Sequence, residues 1–160
     1  MTTKMLVCDD SGTYRDATAR EILTAARTAA TRLYKPGHYF TAPDAVKTFA
    51  TAKLAGRDAE CFSVIFLDNK HKMLSFREMF HGTIDGASVH PREVVKAALL
   101  ENAAAVIFAH NHPSGVTDPS QADIRITQRL KDALALIEVR VLDHVIVGMD
   151  CYSMAEHGTI

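Results

Sequence analysis

Two short runs of almost unbroken apolar character constrain this chain more than any other feature. CFSVIFL (residues 61–67) and AAVIFAH (residues 104–110) do not alternate between apolar and polar side chains. Both are rich in apolar, aromatic or β-branched residues, which predicts strands covered on both faces. The intervening segments supply the helices to cover them. Residues 14–34 place Ala19, Ile22, Leu23, Ala26, Ala30 and Leu33 on one helical stripe, which Pro36-Gly37 stops. Thr41 and Asp44, three apart, predict the start of a second helix with Val46, Phe49, Ala50 and Leu54 inward and Gly56 as its stop. Asp68-Asn69-Lys70 turns the chain into a second strand in the region 73–84, bent near Gly82. A helix from about Pro91, the strand at 104–110, a longer helix from about Ser120, a strand at 139–147 and a short strand near Tyr152 complete the order ααββαβαββ. That order predicts an α/β fold: a mixed sheet with helices packed on both faces, preceded by a helical N-terminal arm.

Composition narrows the class. A chain of 160 residues, 48% hydrophobic, fits one globular domain with a substantial core. Lys and Arg number 18 against 19 Asp and Glu, so there is no basic excess to drive binding to nucleic-acid phosphates. The balance hides an asymmetry: residues 1–58 carry 9 basic and 6 acidic side chains, the rest 9 and 13. Three scattered cysteines (Cys8, Cys61, Cys151) argue against a disulfide framework and fit a reducing compartment. No apolar run is long enough to span a bilayer, and the N-terminus does not read as a signal peptide. A soluble, cytoplasmic protein with no membrane partner is expected.

The chemistry concentrates in FAHNHPSGVTDPSQAD, residues 108–123. His110 and His112, two apart at the end of a buried strand, should present their imidazoles on the same side. Asp118-Pro119 reads as a helix start with Asp118 as cap, placing Ser120 and Asp123 on one face of the first turn. Two imidazoles and a carboxylate can meet one ion and leave a fourth tetrahedral position for water. Water bound there has its pKa lowered to about 7 and becomes a nucleophile at neutral pH. With 8 His, 7 Ser and 12 Asp in the chain, the spacing H-x-H-x7-S-x-x-D arises by chance in about one such chain in a thousand.

This pattern resembles the JAMM motif of MPN-plus (JAB-type) zinc metallopeptidases, and more closely their bacterial RadC-like branch. The resemblance runs from about Ala55 to the C-terminus. It rests on ECFSVIFLDNKHKML, FHGTIDGASVHPREVVKAALLENAAAVIFAHNHPSG, PSQADIRITQRL and LDHVIVG. It implies an MPN fold over residues 56–160, with residues 1–55 as the helical arm. It also implies Zn2+ held by His110, His112 and Asp123, with Glu60 as general base and Ser120 as oxyanion donor. The function implied is a zinc-dependent metallopeptidase or isopeptidase acting on an amide bond of a peptide or protein. A general base beside a bound water can pass its proton to a leaving amine. On residue type alone, Glu60 would also serve as a surface carboxylate capping a strand, and Ser120 as a helix cap.

The remaining candidates weigh less. His144 is expected either as a satisfied core histidine or as a partner for the site. Cys61 is expected to pack, and Arg92-Glu93 to form an exposed helix start. A serine hydrolase using Ser114 would want G-x-S-x-G, which is absent, as is H-E-x-x-H. Larger RadC-like proteins carry a helix-hairpin-helix and a DNA-repair label, but residues 1–55 show no hairpin signature, so a short stand-alone version is expected. The alternative function is a non-catalytic or accessory protein in DNA metabolism. Near-neutral charge does not support DNA as a partner, and the intact ligand set counts against a non-catalytic role. A metal-dependent nuclease would want more clustered carboxylates. The Ala-rich arm could cover the domain or form a homodimer contact.

Overall fold

A computed structural model describes residues 4–82 and 89–160. An N-terminal hairpin of β1 (Leu6–Cys8) and β2 (Tyr14–Asp16) precedes α1 (Ala19–Leu33) and α2 (Pro43–Leu54). Then follow β3 (Cys61–Leu67), β4 (Met73–His81), α3 (Pro91–Leu100), β5 (Ala105–Asn111), α4 (Gln121–Ala135), β6 (Arg140–Val147) and β7 (Cys151–Ser153). From α1 onward this is the expected order. The part of the second strand expected beyond Gly82, including Ile84, lies outside the described residues.

Among the described residues, five strands form one mixed sheet in the order β4-β3-β5-β6-β7. β5 and β6 are parallel, because α4 returns the chain to the same end of the sheet; the other pairs are antiparallel. β3 and β5 are buried along their whole length. The pleat divides their side chains between two cores. Cys61, Ile65, Leu67, Ala105, Ile107 and Ala109 face α2, where Phe49, Ala50 and Leu54 are fully buried. Phe62, Val64, Phe66, Val106 and Phe108 face α3 and α4, meeting Val94, Ala98, Leu130 and Leu134. Helices therefore cover both faces, which is why neither strand shows polar alternation.

The first third departs from expectation in three places. Residues 14–16 are strand, not helix: Asp9 Oδ1 accepts from the backbone N–H of Ser11 and Thr13 at 2.9 Å, and Gly12 at φ 81° closes the turn. α1 begins only at a capping box, in which Thr18 and Glu21 each satisfy the other's backbone N–H. Its stripe is also shallow. Ala30 is buried, whereas Ala19, Ile22 and Leu33 are exposed. Second, Thr41 does not cap α2; Ala42 is the N-cap, and Pro43 occupies the first turn, where no N–H is needed.

Third, a boundary after residue 55 does not separate an arm from a domain. α2 lies in the same core as β3, β5 and β6. α1 is tied to α2's end as well: the Arg27 guanidinium donates to the Ala55 carbonyl at 2.7 Å. Gly56 sits at φ 67°, and a Cβ there would collide with the Leu23 side chain. Phe49→Ala is therefore expected to destabilise the whole chain by about 3–5 kcal/mol, read as a lowered midpoint in chemical denaturation. An autonomous arm would leave that midpoint unchanged.

Candidate metal centre

The even-numbered side chains of β5 face α4, so the pleat that buries Val106 and Phe108 aims His110 at that helix. His112 follows one residue past the strand, and its Nε2 lies 2.8 Å from the Nε2 of His110. The turn after it is fastened to the sheet: the His112 N–H donates to the Val147 carbonyl at 2.8 Å and the Met149 N–H to the Gly115 carbonyl at 2.9 Å. Gly148 permits this approach, since a Cβ there would strike the Gly115 carbonyl. His112 Nδ1 is 2.7 Å from the Val116 carbonyl, which makes it the N–H end of the ring and turns Nε2 toward the site.

α4 delivers the carboxylate. Its N-cap is Ser120, not Asp118, and Asp123 is the third helical residue of a capping box. Asp123 Oδ2 accepts from the Ser120 N–H at 2.7 Å and from its hydroxyl at 2.6 Å. The box aims Asp123 into the protein, where it is fully buried. Oδ1 lies 3.2 Å from His110 Nε2, and Oδ2 lies 3.5 Å from His112 Nε2. Among the described residues, Oδ1 receives no hydrogen bond. A buried carboxylate oxygen without a proton donor, beside two imidazole nitrogens, is the arrangement a cation would complete.

The electrostatics follow from these neighbours. Burial pushes the Asp123 carboxyl up, but His112, His110 and the Ser120 hydrogen bonds outweigh it and hold the group well below the usual carboxylate range. The Asp123 carboxylate raises His112 above its ordinary value. Burial drives His110 well below its own.

Glu60 precedes β3 by one residue. Its Oε1 lies 3.8 Å from His112 Nε2 and 3.9 Å from His110 Nε2. Metal-ligand atoms of Glu60, His110 and His112 fall within 4.8 Å of one another. Asn111, which sequence reasoning passes over, holds this segment: its Oδ1 accepts from the Cys61 N–H at 2.9 Å and its amide donates to the Ala59 carbonyl at 3.1 Å. The clamp flanks Glu60 on both sides. A buried polar residue between two histidines, facing the opposite side of the strand, is the signal that would have revealed it. A cavity of about 820 Å³ opens over the group, lined by Glu60, His112, Ser120, Asp123 and Arg125 among others. Glu60, His110, His112, Ser120 and Asp123 are therefore gathered in one place.

The Ser120 hydroxyl has a single proton, and Asp123 Oδ2 takes it. His144 is fully buried, with Nε2 2.7 Å from His110 Nδ1 and Nδ1 2.6 Å from Thr127 Oγ1. Burial pushes its pKa down to about 4, so the ring is neutral at pH 7. Thr127, also passed over, lies one turn after Asp123 on the same helix. A second group, Cys61, Glu78 and His81, brings its ligand atoms within 4.8 Å. Glu78, however, is held by the Arg57 guanidinium, with one contact at 3.0 Å, and burial pushes the Cys61 thiol up. Neither favours a cation. Arg92 is exposed at the start of α3 and lies 3.4 Å from Glu93, as expected.

Residues 40–159 match the family model described as RadC-like JAB domain. The chain is 55% identical over 138 residues to a UPF0758 protein of Vibrio cholerae serotype O1, covering 86% of this chain and 88% of that one. A UPF0758 protein of Thioalkalivibrio sulfidiphilus is 50% identical over 149 residues, 93% of this chain and 67% of the relative. One from Stutzerimonas stutzeri is 63% identical over 117 residues, 72% and 52% of the two chains. The match begins at residue 40 and so includes α2, in agreement with its place in the core. A mixed sheet between helices, a family match over most of its length and close relatives at this identity lead to one conclusion: the chain belongs to the RadC-like JAB domain family.

Proposed function

We propose that this protein is a zinc-dependent hydrolase that cleaves an amide bond in a peptide or protein. The observation that carries the reading is the buried Asp123 carboxylate at the floor of an open cavity, its Oδ1 beside His110 Nε2 and without a hydrogen bond among the described residues, its Oδ2 beside His112 Nε2. Two nitrogens and a carboxylate oxygen suit zinc better than magnesium or calcium, which prefer shells of oxygen. His110, His112 and Asp123 would hold the ion, with Glu60 and Ser120 lining the cavity beside them. Bound there, zinc would lower the pKa of a water to about 7 and polarise a substrate carbonyl.

The chain's own residues supply the rest. Glu60 stands on the cavity side of the ligands, where it takes the proton from the attacking water and delivers it to the leaving amine nitrogen. Asn111 fixes the backbone on either side of Glu60, keeping the carboxylate's approach constant between the two transfers. Ser120 steadies Asp123; turned toward the cavity, its hydroxyl donates to the oxygen that gains charge in the transition state.

Purified protein should hold about one zinc per chain by elemental analysis, and His112→Ala should lose it. Glu60→Gln should keep the zinc while cleavage of a peptide library slows about a hundred- to ten-thousand-fold. A wild-type chain without stoichiometric zinc, or products that persist undiminished in Glu60→Gln, would overturn the reading.

Zinc and a proton compete for His112 Nε2, whose pKa in the metal-free chain is raised above 6.5. Apparent zinc affinity should therefore climb with pH up to that raised value and level off above it. Calorimetry in two buffers of different ionisation enthalpy should detect the released proton below the plateau. The same shift stabilises the metal-free fold fully below pH 6.5, and this contribution is lost as pH rises through the raised pKa.

A further inference from the structure

We infer that Thr127 and His144 set the tautomer of His110, keeping its Nε2 free of a proton, through hydrogen bonds that begin and end on proposed metal ligands. The link to metal affinity rests on His110 being a ligand; the proton arrangement itself does not.

The direction of each bond follows from a count of protons. Thr127 Oγ1 lies 2.6 Å from the Asp123 carbonyl oxygen and 2.6 Å from His144 Nδ1. A carbonyl has no proton to give, and two oxygens this close without one between them would repel. The single hydroxyl proton therefore points to Asp123. His144 Nδ1 must then be the N–H that donates to Thr127. A neutral imidazole carries one N–H, so His144 Nε2 is an acceptor. The proton in its 2.7 Å contact with His110 consequently sits on His110 Nδ1. Full burial disfavours a second proton on the His110 ring, which leaves its Nε2 with a lone pair on the side of Asp123 and His112. Reversing the chain would place a proton on His110 Nε2, the atom proposed to bind the metal.

The path joins three elements. It leaves the Asp123 backbone on α4, crosses to His144 on β6 and ends at His110 on β5. All three side chains beyond Asp123 are fully buried, so water does not compete for these bonds. The alternative Thr127 contact, to Met154 Sδ at 3.9 Å, is too weak to redirect the hydroxyl. Thr127 and His144 are thus positioning residues, acting through His110. Thr127→Val keeps the shape but leaves His144 Nδ1–H buried without an acceptor. The reversed chain then becomes the less costly arrangement.

The test is histidine 15N NMR on the metal-free full chain, paired with zinc affinity from competition with a chromogenic chelator. In wild type and Thr127→Ser, His110 should carry its proton on Nδ1 and none of its own on Nε2. In Thr127→Val the proton should move toward Nε2 and zinc affinity should fall about ten- to hundredfold, with Thr127→Ser recovering most of it. An Nε2–H on His110 in the wild type overturns the inference without any variant. So does a folded Thr127→Val that keeps both tautomer and affinity. A wild type that binds no zinc overturns the metal reading instead, and the spectra still decide the tautomer.

Discussion

Burying a carboxylate is unfavourable unless its charge is answered, and the site depends on how that demand is met for Asp123. One oxygen is satisfied by Ser120 through the capping box that also starts α4. The other lies 3.2 Å from His110 Nε2 and receives no hydrogen bond among the described residues. The carboxylate raises the pKa of His112, while burial holds that of the more deeply buried His110 well below its ordinary value. A divalent cation would meet that need with bonds to all three side chains.

The fold serves this arrangement through the two-sided burial of β3 and β5. A strand buried on one face could present His110 to α4 but would leave its other face to water. With α2 covering that face, the strand is fixed in depth and register. β5 carries His110 and leads directly into His112, β6 brings His144 beside His110, and the segment before β3 holds Glu60 at the same sheet end. The site is built at the ends of central strands.

Much of this is legible in the sequence, because burial leaves a strong mark on composition. Unbroken apolar runs identified β3 and β5, and the spacing of His110, His112, Ser120 and Asp123 identified the cluster. Exposed elements leave a weaker mark. β2 is exposed throughout, so nothing in its hydropathy distinguishes it from the start of a helix. At α4, Asp118-Pro119 and Ser120-x-x-Asp123 compete as starts, and the capping box prevails because it satisfies two backbone N–H groups at once. Asn111 and Thr127 act through backbone carbonyls and amides, whose positions no side-chain pattern encodes. The place of α2 in the core likewise follows from packing across the sheet, not from any break or continuity in composition.

The central claim is that His110, His112 and Asp123 bind a zinc ion, and zinc-edge X-ray absorption on the stoichiometric complex tests it most directly. The site predicts nitrogen and oxygen donors only, at about 2.0–2.2 Å, with a scattering signature for two imidazoles. A sulfur donor near 2.3 Å would contradict it, because it would put a cysteine among the ligands, as the group of Cys61, Glu78 and His81 would.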